Sequence, residues 1–415
     1  MASELWGERY DELATCLGNE APSAALVLIS STVNVDEVYR MGHSDLETLV
    51  GQGGSAGGHG PEIARSVLQL LYEERDGELF SDWPGGPSWL QRMFGPPQRV
   101  QLGGTGPQAA WALDVLRATS VMALRHRGAD QVSVLPKDLL VCSEGRLVPV
   151  REVVATNGPS AARHGILEFP RGTAWGDRRL SRSCRAIVRF APIALEVDEE
   201  FLSQQAILAA RSGGALLSGL NGLARQDSES IGWALELLHT WKDGGVAPRH
   251  LELGDSSNVT ELMAIVVRLS GLFSSVGMSL TELRRIWRDA GDVRDSALGL
   301  ARALGCTCLV VHADQWSLAI HREDPALVMR QLMAGNLLAA ARARHGSPVT
   351  DIRPLGNSLY SSEIPAAGVM GGGWRADCAP SPYVESPAST VGLGDTFTAG
   401  LLLASALSRA EGTSS

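Results

Sequence analysis

Lysine is nearly absent from this chain. Of 36 basic residues only Lys137 and Lys242 are lysine, and the other 34 are arginine. Neither lysine lies in a GxxxxGK string, which excludes a Walker-type P-loop. Neither sits in a VAIK-like strand, which argues against a protein-kinase layout. Any phosphate chemistry therefore has to proceed without a catalytic P-loop lysine. Cysteine is sparse too. Cys16, Cys142, Cys184, Cys306, Cys308 and Cys378 are scattered, with one CxC and no CxxC. Neither a zinc site nor a disulfide framework is indicated, and a reducing cytoplasm is the expected setting. No apolar run reaches the roughly 20 residues of a membrane span. The acidic, helix-like start MASELWGERYDELATC carries no signal-peptide pattern. The net charge is -10 without a block of like charges. Nucleic acid and anionic membranes are accordingly poor partners.

The 415 residues are 44% hydrophobic and 20% charged, enough for one large domain with a smaller one attached. AALVLISS (24–31) reads as a short, fully buried strand. GQGGSAGGHG (51–60) reads as a flexible loop, followed by helical patterns near 61–75 and 106–126. Residues 150–190 look strand-rich. Beyond them ALLSG, HLEL, SSVGM, CTCLVVH and WSLAI alternate with helical stretches, the pattern of βαβ units and a mostly parallel sheet. No internal repeat is visible, and EGTSS at the end reads as a disordered tail.

What the chain does have is Ser389-Thr390-Val391-Gly392-Leu393-Gly394-Asp395-Thr396-Phe397-Thr398-Ala399-Gly400, running into LLLASALSRA. Two glycines and an aspartate stand where an extended segment becomes an apolar helix. Glycine lets backbone amides approach an anion closely, and a helix start aims free N–H groups and a positive dipole end at the same point. Asp395 there can accept a hydroxyl proton while amides of Gly392, Leu393 and Gly394 hold developing phosphoryl charge. A plain helix cap is the structural alternative.

TVGLGDTFTAG resembles the phosphoryl-transfer motif of the ribokinase-like superfamily, and its GLGD wording resembles the ADP-dependent glucokinase and phosphofructokinase branch. Five further segments carry the resemblance in order. VNVDEV, with Asn34 and Asp36, is similar to the family's Asn-x-Asp at the end of the first strand. QLGGTG, with Gly104 and Thr105, is similar to its paired-glycine sugar loop, where Thr105 replaces a common glutamine. ARHGILEFPRG places His164 as a substrate ligand. HLEL and SSVGMSLTEL resemble the metal segments and imply Glu252 and Glu282 as magnesium ligands, with Ser279 and Leu280 where the family has Asn and Glu. CLVVHA sets His312 beside the nucleotide or in the core, and Gly371, Gly372 and Gly373 stand in a nucleotide-contacting loop. Glu62 is a possible counterpart of a sugar-contacting lid glutamate.

The resemblance implies a three-layer ribokinase-like α/β sandwich with a smaller, strand-containing lid. Residues 1–36, 100–159 and 191–415 would form the nucleotide domain, and 37–99 with 160–190 the lid. It further implies phosphoryl transfer from ADP, with Mg²⁺, to a hydroxyl of a sugar-like molecule, Asp395 being the general base. The departures on the substrate side argue against plain glucose. Two alternatives stay open: an ATP-dependent nucleoside or small-alcohol kinase on the same fold, and a catalytically impaired nucleotide-binding regulator, which Ser279 and Leu280 favour and the intact GLGD disfavours.

Overall fold

Strand–helix alternation builds a sheet of eleven strands, Gly368–Gly371, Trp374–Pro380, Trp316–His321, Cys308–His312, Ser275–Ser279, Arg249–Glu252, Ser212–Leu217, Leu26–Ser30, Ser120–Met122, Leu140–Ser143 and Arg146–Pro149 in spatial order. The seven from Cys308–His312 to Leu140–Ser143 pair parallel. The flanking strands are antiparallel. The computed structural model describes residues 2–156, 162–192, 194–256, 258–288, 291–356 and 358–413. Residues 160 and 161 of the expected lid lie outside them.

Side chains alternate across a strand. Leu28 joins one core with Phe201, Leu237 and Trp241, whereas Val27 and Ile29 join another with Leu113, Leu332 and Leu402. Cores on both faces of the sheet, each covered by helices, give the three-layer α/β sandwich expected of a ribokinase-like fold.

A second sheet orders Gly77–Phe80, Cys184–Arg189, Ala162–Phe169, Asn34–Arg40 and Arg99–Gly103. Helices His43–Gly53, His59–Tyr72 and Gly86–Phe94 contribute to the apolar cluster that closes its back, with Leu46, Ile63, Trp89 and Phe169 buried there. Asn34 and Asp36 start a strand of this small sheet, separated by three residues from the large-sheet strand that ends at Ser30.

Local expectations shifted in three places. The expected loop 51–60 shortens to 54–58, because Leu46 and Leu49 pack into the core behind the small sheet and hold the first helix through Gly53, and the next helix starts at His59. Tertiary burial overrides the low helix propensity of glycine there. The helix expected to 126 ends at Val115, and Arg117 at φ 62° turns the chain into the strand Ser120–Met122. The final helix Leu393–Thr413 includes the first three residues of the expected tail; Ser414 and Ser415 lie outside the described residues.

Candidate active site

A cleft of about 700 Å³ opens between the small sheet and the carboxyl ends of the parallel strands, where open α/β sheets hold ligands. Asn34, Asp36, Gly104, Thr105, His164, Glu252, Glu282, Gly392, Leu393, Gly394 and Asp395 all line it. These eleven residues are drawn from six separated stretches of sequence.

The glycine turn is shaped by what lies under it. Gly392 has φ 72°, and a Cβ there would lie 2.4 Å from Arg342 Cζ. A Cβ on Gly394 would approach His312 Cε1 to 2.9 Å. Both positions therefore reject side chains for tertiary reasons, and Gly392 for its backbone as well. Gly392 O accepts from Thr396 N at 3.0 Å, leaving the turn's own amides at the head of the helix. Burial raises the Asp395 carboxyl above its usual range, while Arg342 and a hydrogen bond from Thr105 oppose the rise.

One wall of the cleft rests on the small sheet. Asp36 pairs in register with His164 on the neighbouring parallel strand. His164 Nδ1 stands 3.6 Å from Asp36 Oδ1, beyond hydrogen-bond length. Burial, with Arg189 nearby, pushes His164 down to about 3, so it is neutral. Burial and the charges of Asp395 and Glu78 lift Asp36 to about 7. Asn34 Oδ1, Asp36 Oδ1, His164 Nε2 and Gln108 Oε1 are buried without a partner among the described residues. Buried polar atoms of this kind require partners. A Cβ on Gly103 would meet Asp36 Oδ1 at 2.1 Å, which explains one of the paired glycines.

At the other end His250 and Glu252, two apart on one strand, face the same way. His250 Nε2 lies 2.9 Å from Glu252 Oε2, and His250 Nδ1 lies 2.9 Å from Ser275 Oγ. Glu252 also receives Thr398 Oγ1 at 3.0 Å and His312 Nε2 at 3.2 Å. Burial alone would raise Glu252, yet its hydrogen bonds to the two histidines hold it at about 2. Burial would lower His312, but its bond to Glu252 raises it instead. Glu282 and Ser279 form a reciprocal helix cap: Ser279 N donates to Glu282 Oε2 at 2.7 Å, and Glu282 N donates to Ser279 Oγ at 3.2 Å. Burial lifts Glu282 to about 7. No group of three or more His, Cys, Asp and Glu side chains among the described residues could by itself hold a metal ion.

Residues 88–352 match the conserved region of the ADP-specific phosphofructokinases and glucokinases. The chain belongs to this family of ADP-dependent sugar kinases. It is 29% identical over 324 residues to an ADP-specific phosphofructokinase of Pyrococcus furiosus, covering 65% of this chain and 71% of that one. It is 25% identical over 451 aligned positions to an ADP-dependent glucose/glucosamine kinase of the same organism, covering 94% and 96%. A solved ADP-dependent kinase complex with fructose-6-phosphate and ADPβS shares the fold, with a TM-score of 0.79 at 17% identity over 97% of this chain and 98% of that one. A phosphofructokinase structure from Pyrococcus horikoshii with AMP gives 0.69 at 18% identity, over 94% and 99%.

This ADP-dependent sugar kinase also lines its cleft with residues that the motifs did not single out. Arg185 and Arg189 reach in from the strand Cys184–Arg189, and Glu78 from Gly77–Phe80. Arg189 Nε lies 3.6 Å from Glu78 Oε2, while Arg189 Nε and Nη1 and Arg185 Nε have no hydrogen-bond partner among the described residues. Glu62 sits in the first turn of its helix and does not line the cleft, whereas Glu78 of the strand Gly77–Phe80 does. The small sheet also grips the segment entering the glycine turn. Val38 and Ile166 pack on Val391, Ser389 Oγ donates to Glu168 at 2.8 Å, and Arg185 Nη1 donates to Thr390 O at 2.5 Å. The only sequence signal for Arg185 and Arg189 was the abundance of arginine. Among the described residues no helix is long and apolar enough to cross a membrane.

Proposed function

We propose that the cleft transfers the terminal phosphoryl group of ADP to a hydroxyl of a phosphorylated sugar, with Asp395 as general base. The observation that carries this reading is the position of Asp395. It stands at a helix head, between the amides of Gly392, Leu393 and Gly394 and an acceptor floor of unpartnered polar atoms. Asn34, Asp36 and His164 orient the acceptor, with Gly104 admitting its close approach. Asp395, held by Thr105, takes the hydroxyl proton. The hydroxyl oxygen forms a bond to the β-phosphorus as the bond to the α,β-bridging oxygen breaks, and AMP leaves. The amides of the glycine turn hold the charge on the transferring group.

The two excursions 37–99 and 160–190 serve as a lid that excludes water, which otherwise competes as acceptor. Arg185 and Arg189, with unspent donors, suit a sugar that already carries a phosphate. Fructose 6-phosphate, bound by the related kinase of the same fold, is the first acceptor to test. Glu78 favours a second reading, because a carboxylate accepts hydrogen bonds from a neutral sugar such as glucose.

The donor set also fits a magnesium ion. Glu282 is a buried carboxylate raised to about 7, with Glu252 and Asp255 adding to that rise, so a cation there would relieve like charge. Glu282 would hold the ion together with waters and ADP oxygens. Glu252, already carrying three hydrogen bonds, would orient the site through His312. When bound, the ion would neutralise phosphate charge. We place the enzyme in the cytoplasm, in line with six cysteines that are all free thiols.

Initial rates with ADP, at fixed free magnesium, on fructose 6-phosphate and on glucose test the reading, with ATP run alongside. Turnover of fructose 6-phosphate with release of AMP is expected. Turnover of glucose alone moves the assignment to the second reading. Transfer to neither acceptor rejects the assignment of a hexose or hexose phosphate.

A further inference from the structure

Arg342 stands in the last turn of the helix Pro325–His345, with none of its surface exposed. Its Nη1 donates to Thr396 Oγ1 at 2.9 Å, and its Nε and Nη2 have no partner among the described residues. No carboxylate among the described residues lies within ion-pair distance. The Trp111 ring lies over the guanidinium, 5.5 Å from Cζ to its centroid. On the other side lies the Gly392 turn, whose missing side chain leaves room for this group. A buried charge with unmade hydrogen bonds is unfavourable for folding unless something compensates it. The carboxyl groups around it are those of Asp395 and Asp36, and both interact with it electrostatically.

We propose that Arg342 is a positioning residue for phosphoryl transfer: its guanidinium, packed behind Gly392, holds the turn's amides toward the transferring phosphoryl group and supplies positive potential through the turn. The inference rests on placing that group over Gly392–Gly394. Arg342 does not line the cleft, so it acts through the turn and touches no substrate. Neither lysine lines the cleft either. The cationic role that a lysine plays in P-loop enzymes is here given to an arginine sealed beneath backbone. A low-dielectric setting makes a fixed charge effective across such a distance. Burial lowers the Arg342 pKa only to about 10, so the group stays charged at neutral pH.

The test measures kcat, KM for ADP, KM for the acceptor and urea stability in Arg342→Met and Arg342→Lys, with Asp395→Asn alongside. The assay uses ADP and whichever of fructose 6-phosphate and glucose is turned over. Arg342→Met is expected to lose about 10²-fold in kcat, the scale of a lost oxyanion donor, with both KM values little changed. Its stability should match or exceed the wild type, because an apolar side chain of similar length replaces an unpaired buried charge. Arg342→Lys should restore most of kcat. If Arg342→Met does not fold, Arg342→Gln, which keeps a donor for Thr396, is read by the same criteria. Wild-type kcat in the Met variant, with Asp395→Asn inactive, rejects the role of Arg342 alone. Loss of kcat together with stability, not restored by lysine, also rejects it in favour of mere packing. Wild-type kcat in both Arg342→Met and Asp395→Asn rejects the placement of transfer at this turn altogether.

Discussion

Gly392→Ala asks the structure for a number. At φ 72° the backbone is left-handed, a conformation that costs a non-glycine residue about 1–2 kcal/mol. The new methyl carbon would stand 2.4 Å from Arg342 Cζ and 2.7 Å from Nη1. The guanidinium has little freedom to retreat, since Thr396 holds one nitrogen and Trp111 faces its plane. Overpacking of a tight site adds about 1–3 kcal/mol. The expected destabilisation is therefore about 2–5 kcal/mol, read from urea unfolding followed by tryptophan fluorescence. The steric part depends on Arg342 and the backbone part does not. In Gly392→Ala/Arg342→Ala the clash disappears while the strain remains, so the double-mutant cycle should show a coupling of about 1–3 kcal/mol. Activity should fall further than stability, because displacing the turn moves the amides proposed to hold the phosphoryl group. A Gly392→Ala protein within about 0.5 kcal/mol of wild type would refute the packing argument. Strict additivity in the cycle would refute the role of Arg342 in excluding a side chain.

Asp395→Asn should fold normally and lose about 10²–10⁴-fold in turnover, because the carboxamide cannot take the proton; steady-state rates within a few-fold of wild type would remove Asp395 as base. Glu282→Gln should raise the free magnesium needed for half-maximal rate more than it raises the acceptor KM, and an unchanged magnesium titration would leave Glu282 as a helix cap only. The ligand-free protein should lose stability as pH rises from about 4 to about 7. Asp36, Glu78 and Glu282 each have folded-state values raised to about 7, so the native state holds protons that the unfolded chain has released. Urea midpoints across that range should fall with pH, and Asp36→Asn should flatten the slope; midpoints that rise through the window would contradict the burial of these carboxyls.

The sequence by itself carried the features that depend on local chemistry. Strand-and-helix alternation and the parallel-sheet architecture follow from period and length. GLGD before an apolar helix signals an anion turn because helix heads and glycines behave alike in any protein. Asn34, Asp36, Gly104, His164, Glu252 and Glu282 were readable because each sits in a short string with an order along the chain, and the folded chain brings them into one cleft. What surrounds them depended on tertiary structure. That Gly392 must be glycine depends on Arg342, fifty positions upstream and on another helix. That Glu252 is saturated depends on Thr398 and His312 arriving from other elements. Glu78 rather than Glu62 faces the cleft because a strand of the small sheet, not the helix before it, lies on that side. Arg185 and Arg342 are two among 34 arginines in the sequence, and nothing near either one marks it. Local strings encode backbone conformation, whereas burial and pairing of charge are set by segments that meet only when the two sheets close on each other.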